Sequence, residues 1–294
     1  MAGGLKEVRE RITSVQNTMQ ITSAMKMVAA AKLRRAQDAA ESGRPYSTRM
    51  RQVIGNLASK ADASSAPQLL VGNGKDHTHL LVVMSADRGL CGGFNGTVTR
   101  QTRAEVARLQ AENKTVKLLM IGRKSSDALR REFGDLYIDR YEGLQGTSVN
   151  YSDAAKIADA IRTGFEAGEF DVCTLIFNKF KNAITQEITL TRLIPAKVAN
   201  SEVSDGDASA VSYEYEPEED ELLAILLPLN LSTQMYGALL ESSAAELAAR
   251  MTAMDNATRN AGELIDRLTL VYNRTRQANI TSELIEIISG AEAI

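Results

Sequence analysis

Apolar residues at Leu5, Val8, Ile12, Val15 and Met19 step by three and four. That spacing keeps one helix face apolar and makes the seam of a coiled coil. No glycine falls between Gly4 and Gly43, and Pro45 is the one proline before residue 60. One long helix from Leu5 to about Leu57 is predicted, with a bend expected at Gly43-Arg44-Pro45. At 1.5 Å per residue it would reach roughly 80 Å, far more than a compact domain needs. Such a helix requires a partner.

The other end of the chain supplies one. Leu240, Ala244, Leu247, Met251, Met254, Thr258, Ala261, Ile265, Leu268, Tyr272, Thr275 and Asn279 alternate in fours and threes without a break. The pairing can be parallel or antiparallel, and a compact insert with neighbouring entry and exit favours antiparallel. The seam is rich in small and polar residues, so the helices can approach closely while burying little apolar area. Support from other chains is therefore expected. After Asn279 the phase shifts, and Ile280, Leu284, Ile285, Ile287, Ile288 and Ala291 spread over an arc of about 160°. One partner helix cannot cover that arc. It is either core of this same chain or a tip entering an apolar socket made by several others.

Composition agrees with a helix-dominated chain. Aromatic residues are 5%, Trp is absent and prolines number 5, so the interior relies on Ala, Leu, Ile, Val and Met. The 294 residues, 44% hydrophobic and 24% charged, exclude disordered and collagen-like classes. The apolar runs 79–84 and 222–227 are far short of the roughly 20 residues that span a bilayer, and no leader is legible at residues 1–7. A net charge of −3 hides a strong division. Residues 1–60 hold eleven Lys or Arg against four acids, whereas 196–225 hold nine acids against Lys197 alone.

Between His77 and Pro195, strand and helix signals alternate. Strands are expected at 79–86, 116–122, 171–181 and 186–194, with helices at 95–113, 124–133 and 153–168. This implies a small sheet, parallel where helices cross over, ending in an antiparallel hairpin around Asn182-Ala183-Ile184-Thr185. The whole is α/β: a long coiled coil of terminal helices (1–60 and 218–294), a central Rossmann-like α/β domain (77–195) and an acidic loop or foot (196–217).

The first strand runs into Asp87-Arg88-Gly89-Leu90-Cys91-Gly92-Gly93-Phe94-Asn95, a glycine-rich turn where doubly wound folds bind phosphates. Neither a Gly-x-x-x-x-Gly-Lys-Ser/Thr cradle nor Gly-x-Gly-x-x-Gly is spelled out, so glycines serving a tight turn are the simpler reading. With only His77 and His79, adjacent and near a strand start, the usual general base is nearly missing. Cys91 beside Arg88 could have a more acidic thiol, but no Cys-x-x-Cys accompanies it, and Cys173 sits in an apolar strand. No catalytic residue, cofactor or metal ligand set is expected. The basic arm has Tyr46 as its one aromatic before residue 60 and no recognition motif, so an acidic protein surface is preferred to nucleic acid.

The segment from Ile12 to Leu33, containing Met19-Gln20-Ile21-Thr22-Ser23-Ala24-Met25-Lys26-Met27-Val28-Ala29-Ala30, closely resembles the first helix of F-type ATP synthase gamma subunits. So do the Asp87–Asn95 turn, the stretch Ala248 to Thr258 and the stretch Tyr272 to Leu284. The likeness covers the chain from end to end. It implies an antiparallel shaft threaded into a ring of three alpha and three beta subunits, with the middle domain nearer the membrane. Rotation of the membrane c-ring would be passed to the catalytic hexamer, coupling proton flow to ATP synthesis, with no chemistry of the chain's own. By the same resemblance, Met25, Lys26 and Lys32 look like the shaft beneath the beta lever loops. Arg276, Gln277, Thr281 and Glu283 look like upper contacts with beta, and Arg88 and Cys91 like a lower contact. Tyr213 and Tyr215 look like the foot meeting the c-ring and the epsilon subunit. The expected place is the cytoplasmic face of a bacterial inner membrane, held there peripherally through the complex.

Overall fold

A computed structural model of the chain describes residues 3–60, 66–144, 149–196 and 219–292. The acidic stretch beyond residue 196, with Tyr213 and Tyr215, lies outside them. The chain divides into two compact units, one made of residues 1–30 and 250–294 and the other of residues 31–249. Two very long helices, α1 (Gly3–Lys60) and α6 (Glu219–Glu292), contribute to both.

In the first unit the expected seam is present residue for residue. Between positions 4 and 20 of α1, only Leu5, Val8, Ile12, Val15 and Met19 withdraw from solvent. Between 263 and 289 of α6, only Ile265, Leu268, Tyr272, Thr275 and Asn279 do so. The direction of pairing is antiparallel. The Thr22 and Thr258 hydroxyls are 2.8 Å apart, the Lys26 ammonium donates to the Asp255 carboxylate at 2.5 Å, and Met19 Sδ is 4.0 Å from a Cβ built on Gly262. As the numbers climb along α1 through 19, 22 and 26, the facing numbers fall along α6 through 262, 258 and 255. Asn279 is the last position of α6 that withdraws from solvent, and positions 280–289 are all exposed. The account that made this tip core of the same chain is thereby excluded for the described residues.

The second unit is a five-stranded sheet in the order β3-β2-β1-β4-β5. Strands β1 (Thr78–Met84), β2 (Thr115–Ile121), β3 (Tyr137–Tyr141) and β4 (Val172–Phe180) are parallel, and β5 (Gln186–Ile194) returns antiparallel beside β4. β1 is buried on both faces, as an apolar run between parallel neighbours must be. On one face, α3 (Phe94–Ala111) and α4 (Arg123–Phe133) cover a core built on Leu81, Val83, Leu118 and Met120. On the other, α5 (Tyr151–Glu166) and the early part of α6 pack on Leu80, Val82, Met84, Leu175 and Phe177. A smaller cluster joins Met50, Ile54 and Leu57 of α1 to Leu223 and Leu227 of α6, with Leu70 from the one-turn helix α2 (Gln68–Val71).

Two helical prolines are accommodated, since α1 is helical on both sides of Pro45 and α6 on both sides of Pro228. α6 is long and apolar enough by composition to cross a membrane, which the sequence reading had not expected of any segment. In this fold 44% of its most apolar stretch is buried within the protein. β3 was also unanticipated. It is an edge strand whose residues are all at least partly exposed, so it carries no apolar run to betray it.

Candidate functional site

Two places could carry function: the glycine-rich turn above the sheet and the two-helix shaft with its tip. The turn lies at the carboxyl ends of β1 and β4, where the strand order reverses and doubly wound folds place ligands. In this chain the crevice is filled by the protein's own groups. Asn95 holds the turn together: its side-chain oxygen accepts the Ala86 N–H at 2.9 Å and its amide nitrogen donates to the Arg88 carbonyl at 3.4 Å and to Cys91 Sγ at 3.2 Å. Asn178 of β4, only 2% exposed, donates to the Phe94 carbonyl at 3.0 Å. Asp87 occupies the anion position at the start of α4, accepting the Arg123 N–H at 3.2 Å and the Gly143 N–H at 3.0 Å. A helix N-terminus that already faces an intramolecular carboxylate is poorly placed to receive a phosphate.

Above this plug, Ala245 and Ala249 of α6 close down on Ala86, Cys91 and Phe94. The small residues of the α6 stripe therefore admit a close approach here as well as along the coiled coil. The turn does use left-handed conformation, at Leu90 (φ 65°) and Gly92 (φ 56°). Leu90 is the surprise, being bulky, left-handed and 63% exposed.

The residues singled out from the sequence divide by environment. Met25 and Lys26 are half-buried in the shaft, and Lys26 is engaged with Asp255, whose carboxyl that hydrogen bond holds below its ordinary value. Lys32, Arg88, Arg276, Gln277, Thr281 and Glu283 are exposed. Thr281 returns its hydroxyl to the Gln277 carbonyl at 2.9 Å. Cys91 differs from the rest: its side chain is 2% exposed and turned inward, so any outward contact at this turn belongs to Arg88 and Leu90. Cys173 is fully buried, and desolvation pushes its thiol far above the ordinary range.

At the tip, Ile280, Leu284, Ile285, Ile287 and Ile288 are between 48% and 68% exposed. Five large aliphatics within nine residues, all in water, form a surface that monomeric proteins rarely leave uncovered. Among the described residues, no three His, Cys, Asp or Glu side chains gather to hold a metal ion.

An antiparallel two-helix unit with a bare apolar end, and an α/β unit whose ligand crevice is plugged, define the class of stalk-type proteins. The ATP synthase family model matches residues 4–294. Over 291 residues, covering 99% of both chains, the sequence is 53% identical to the ATP synthase gamma chain of Paramagnetospirillum magneticum. It is 54% identical to that of Rhodospirillum rubrum, again over 99% of each. Among solved structures, a chain of the central stalk and c-ring of the Tetrahymena thermophila mitochondrial ATP synthase is 33% identical. That match covers 81% of this chain and 99% of the other, with a TM-score of 0.60. A chain of the Euglena gracilis mitochondrial enzyme has a TM-score of 0.68 at 20% identity, covering 100% of this chain and 95% of that one, which is a likeness of fold. The chain belongs to the ATP synthase gamma chain family.

Proposed function

We propose that the chain is the central rotor stalk of a bacterial F-type ATP synthase. It passes rotation of the membrane c-ring to the alpha and beta subunits of the catalytic head and does no chemistry itself. The observation that carries this reading is the exposed apolar tip at Ile280 to Ile288, standing beyond the last residue of α6 that α1 can cover. A bearing surface needs such a feature, because apolar contact is non-directional and holds at every angle of rotation. Charged contacts lower on the shaft suit sliding, since exposed ion pairs are worth about 0–1 kcal/mol each and exchange without a large barrier.

On this reading an asymmetric shaft presents a different face to each of three like catalytic sites. Its angle sets their affinities through differential contact energy. Met25, Lys26 and Lys32 meet the beta lever loops, Arg276, Gln277, Thr281 and Glu283 meet the upper sleeve, and Arg88 marks the lower contact. Tyr213 and Tyr215 meet the c-ring and the epsilon subunit. The chain is held peripherally at the cytoplasmic face of the inner membrane through these partners.

Reconstitution tests the proposal. The purified chain should neither bind nor hydrolyse ATP; hydrolysis with rotation of the chain should appear when alpha and beta subunits are added, and coupling to proton flow when the membrane sector is added as well. A chain ending at Thr275 should assemble weakly or transmit little torque while nucleotide binding by beta persists. Normal assembly and coupling by the shortened chain would remove the tip from the mechanism.

A further inference from the structure

The second unit contains a cleft of about 1070 Å³ bounded by the middle of α1, the β4–β5 hairpin and the early part of α6. That is room for a small organic molecule. Its floor follows from strand alternation and register. Leu175, Phe177 and Lys179 of β4 lie beside Thr191, Thr189 and Glu187 of β5, so one end of the floor is apolar and the other is charged. Leu175 and Phe177 are buried, whereas Lys179 is exposed.

Two further observations indicate that the cleft is kept open and given a sign. Gly43 of α1 and Gly237 of α6 both line it, and a Cβ added at either would meet no atom within 4 Å. Neither has a positive φ, so the backbone does not demand glycine there. Glycine weakens a helix interior relative to alanine, yet both walls carry it where a side chain would project into the open space. Arg51 lines the cleft without a hydrogen bond or ion pair among the described residues, whereas Lys179 lies opposite Glu187 across the hairpin and, after the Lys181 hydrogen bond, helps hold that carboxyl below its ordinary value. Lys181 is held by Glu187 at 2.8 Å, and Glu241 accepts the Phe180 N–H at 3.2 Å. An apolar floor with the unpaired Arg51 guanidinium on its α1 wall and the exposed Lys179 at its charged end is complementary to a molecule that is apolar at one end and negative at the other.

We propose that this cleft binds a small anionic amphiphile, a molecule with an apolar ring or chain and a terminal carboxylate, sulfonate or phosphate. Nothing in the stalk role requires such a site.

The test titrates the full chain with anilinonaphthalene sulfonate, a fluorescent aromatic anion, and with its uncharged counterpart phenylnaphthylamine. One saturable site is expected, with the anion preferred about tenfold. Gly237→Phe, which fills the cleft, and Arg51→Glu, which reverses an exposed charge without touching a core, should each weaken the anion at least about tenfold while leaving the melting temperature near that of the parent. The tip double variant Leu284→Ser/Ile288→Ser should bind as the parent does. Binding that fails to saturate, that survives Arg51→Glu, or that vanishes in the tip variant overturns the proposal.

Discussion

Gly122 stands at φ +90°, and a Cβ there would lie 1.9 Å from the Ser85 carbonyl oxygen. The clash is with backbone, so no side-chain rotation relieves it. Gly122→Ala is expected to cost about 3 kcal/mol or more in a urea titration. Gly89→Ala, whose methyl would touch only the flexible end of Lys124 at 3.7 Å, should cost under about 1 kcal/mol. Asp171 makes a second residue-scale prediction. Burial alone would raise its pKa, but hydrogen bonds from the Thr78 N–H, the Asn73 amide and the His77 N–H outweigh burial and hold it below the ordinary value. A depressed carboxylate stabilises the fold fully above its unfolded pKa of about 3.9, and that contribution is lost as pH falls through the lower folded-state value. Asp171→Asn should therefore be clearly less stable than the parent at pH 7, with the gap between their urea midpoints closing in acid. Of these residues the sequence announced little. Gly122 follows a strand, but what makes it indispensable is a carbonyl some 37 residues away in the chain.

At the scale of elements, the seam shows what periodicity can and cannot carry. The positions from Leu5 to Met19 and from Ile265 to Asn279 were legible because each helix there has one partner and one buried stripe. Direction was not legible in that pattern, which is the same for either orientation, and only contacts such as Thr22 with Thr258 decide it. Those two hydroxyls also lie 3.0 Å from the Met19 carbonyl and 2.8 Å from the Met254 carbonyl. Two protons thus serve three acceptor contacts. Replacing one Thr by Val therefore leaves the other hydroxyl still donating to the carbonyl of its own helix, Met254 for Thr258 and Met19 for Thr22. Each single Thr→Val variant should accordingly unfold within a few degrees of the parent, by circular dichroism. β3 illustrates the opposite limit, because an edge strand with polar Asp139 and Arg140 at its centre has neither the alternation nor the run that marks β1.

For the whole molecule, the two units follow different building rules, and this decides what each tolerates. The sheet unit is held by large side chains from five strands and six helices, while the shaft unit rests on one thin stripe. Removing the tip deletes no buried residue beyond Asn279 among those described. The isolated chain ending at Asn279 should therefore melt within about 2 °C of the full chain, by calorimetry, even though its assembly is impaired. The composition of the tip was plain in the sequence, but its nakedness was not, because exposure depends on where α1 starts. The plugged crevice was likewise only half visible: the missing phosphate motifs could be read from the turn, whereas Asn178 and Ala245 arrive from remote parts of the chain.

The opposed directions of α1 and α6 also constrain how such a chain can change in length. Because rising positions on one arm face falling positions on the other, the dimensions of the shaft are encoded twice, near the two ends of the gene. Seven residues inserted into α1 between Leu5 and Thr22 would carry its start about two turns further along α6, to face positions near 285, and cover one side of the near part of the tip. Seven inserted into both arms at facing points would lengthen the shaft and leave the tip as bare as before. Length variation in this lineage is thus expected to be inherited in matched pairs.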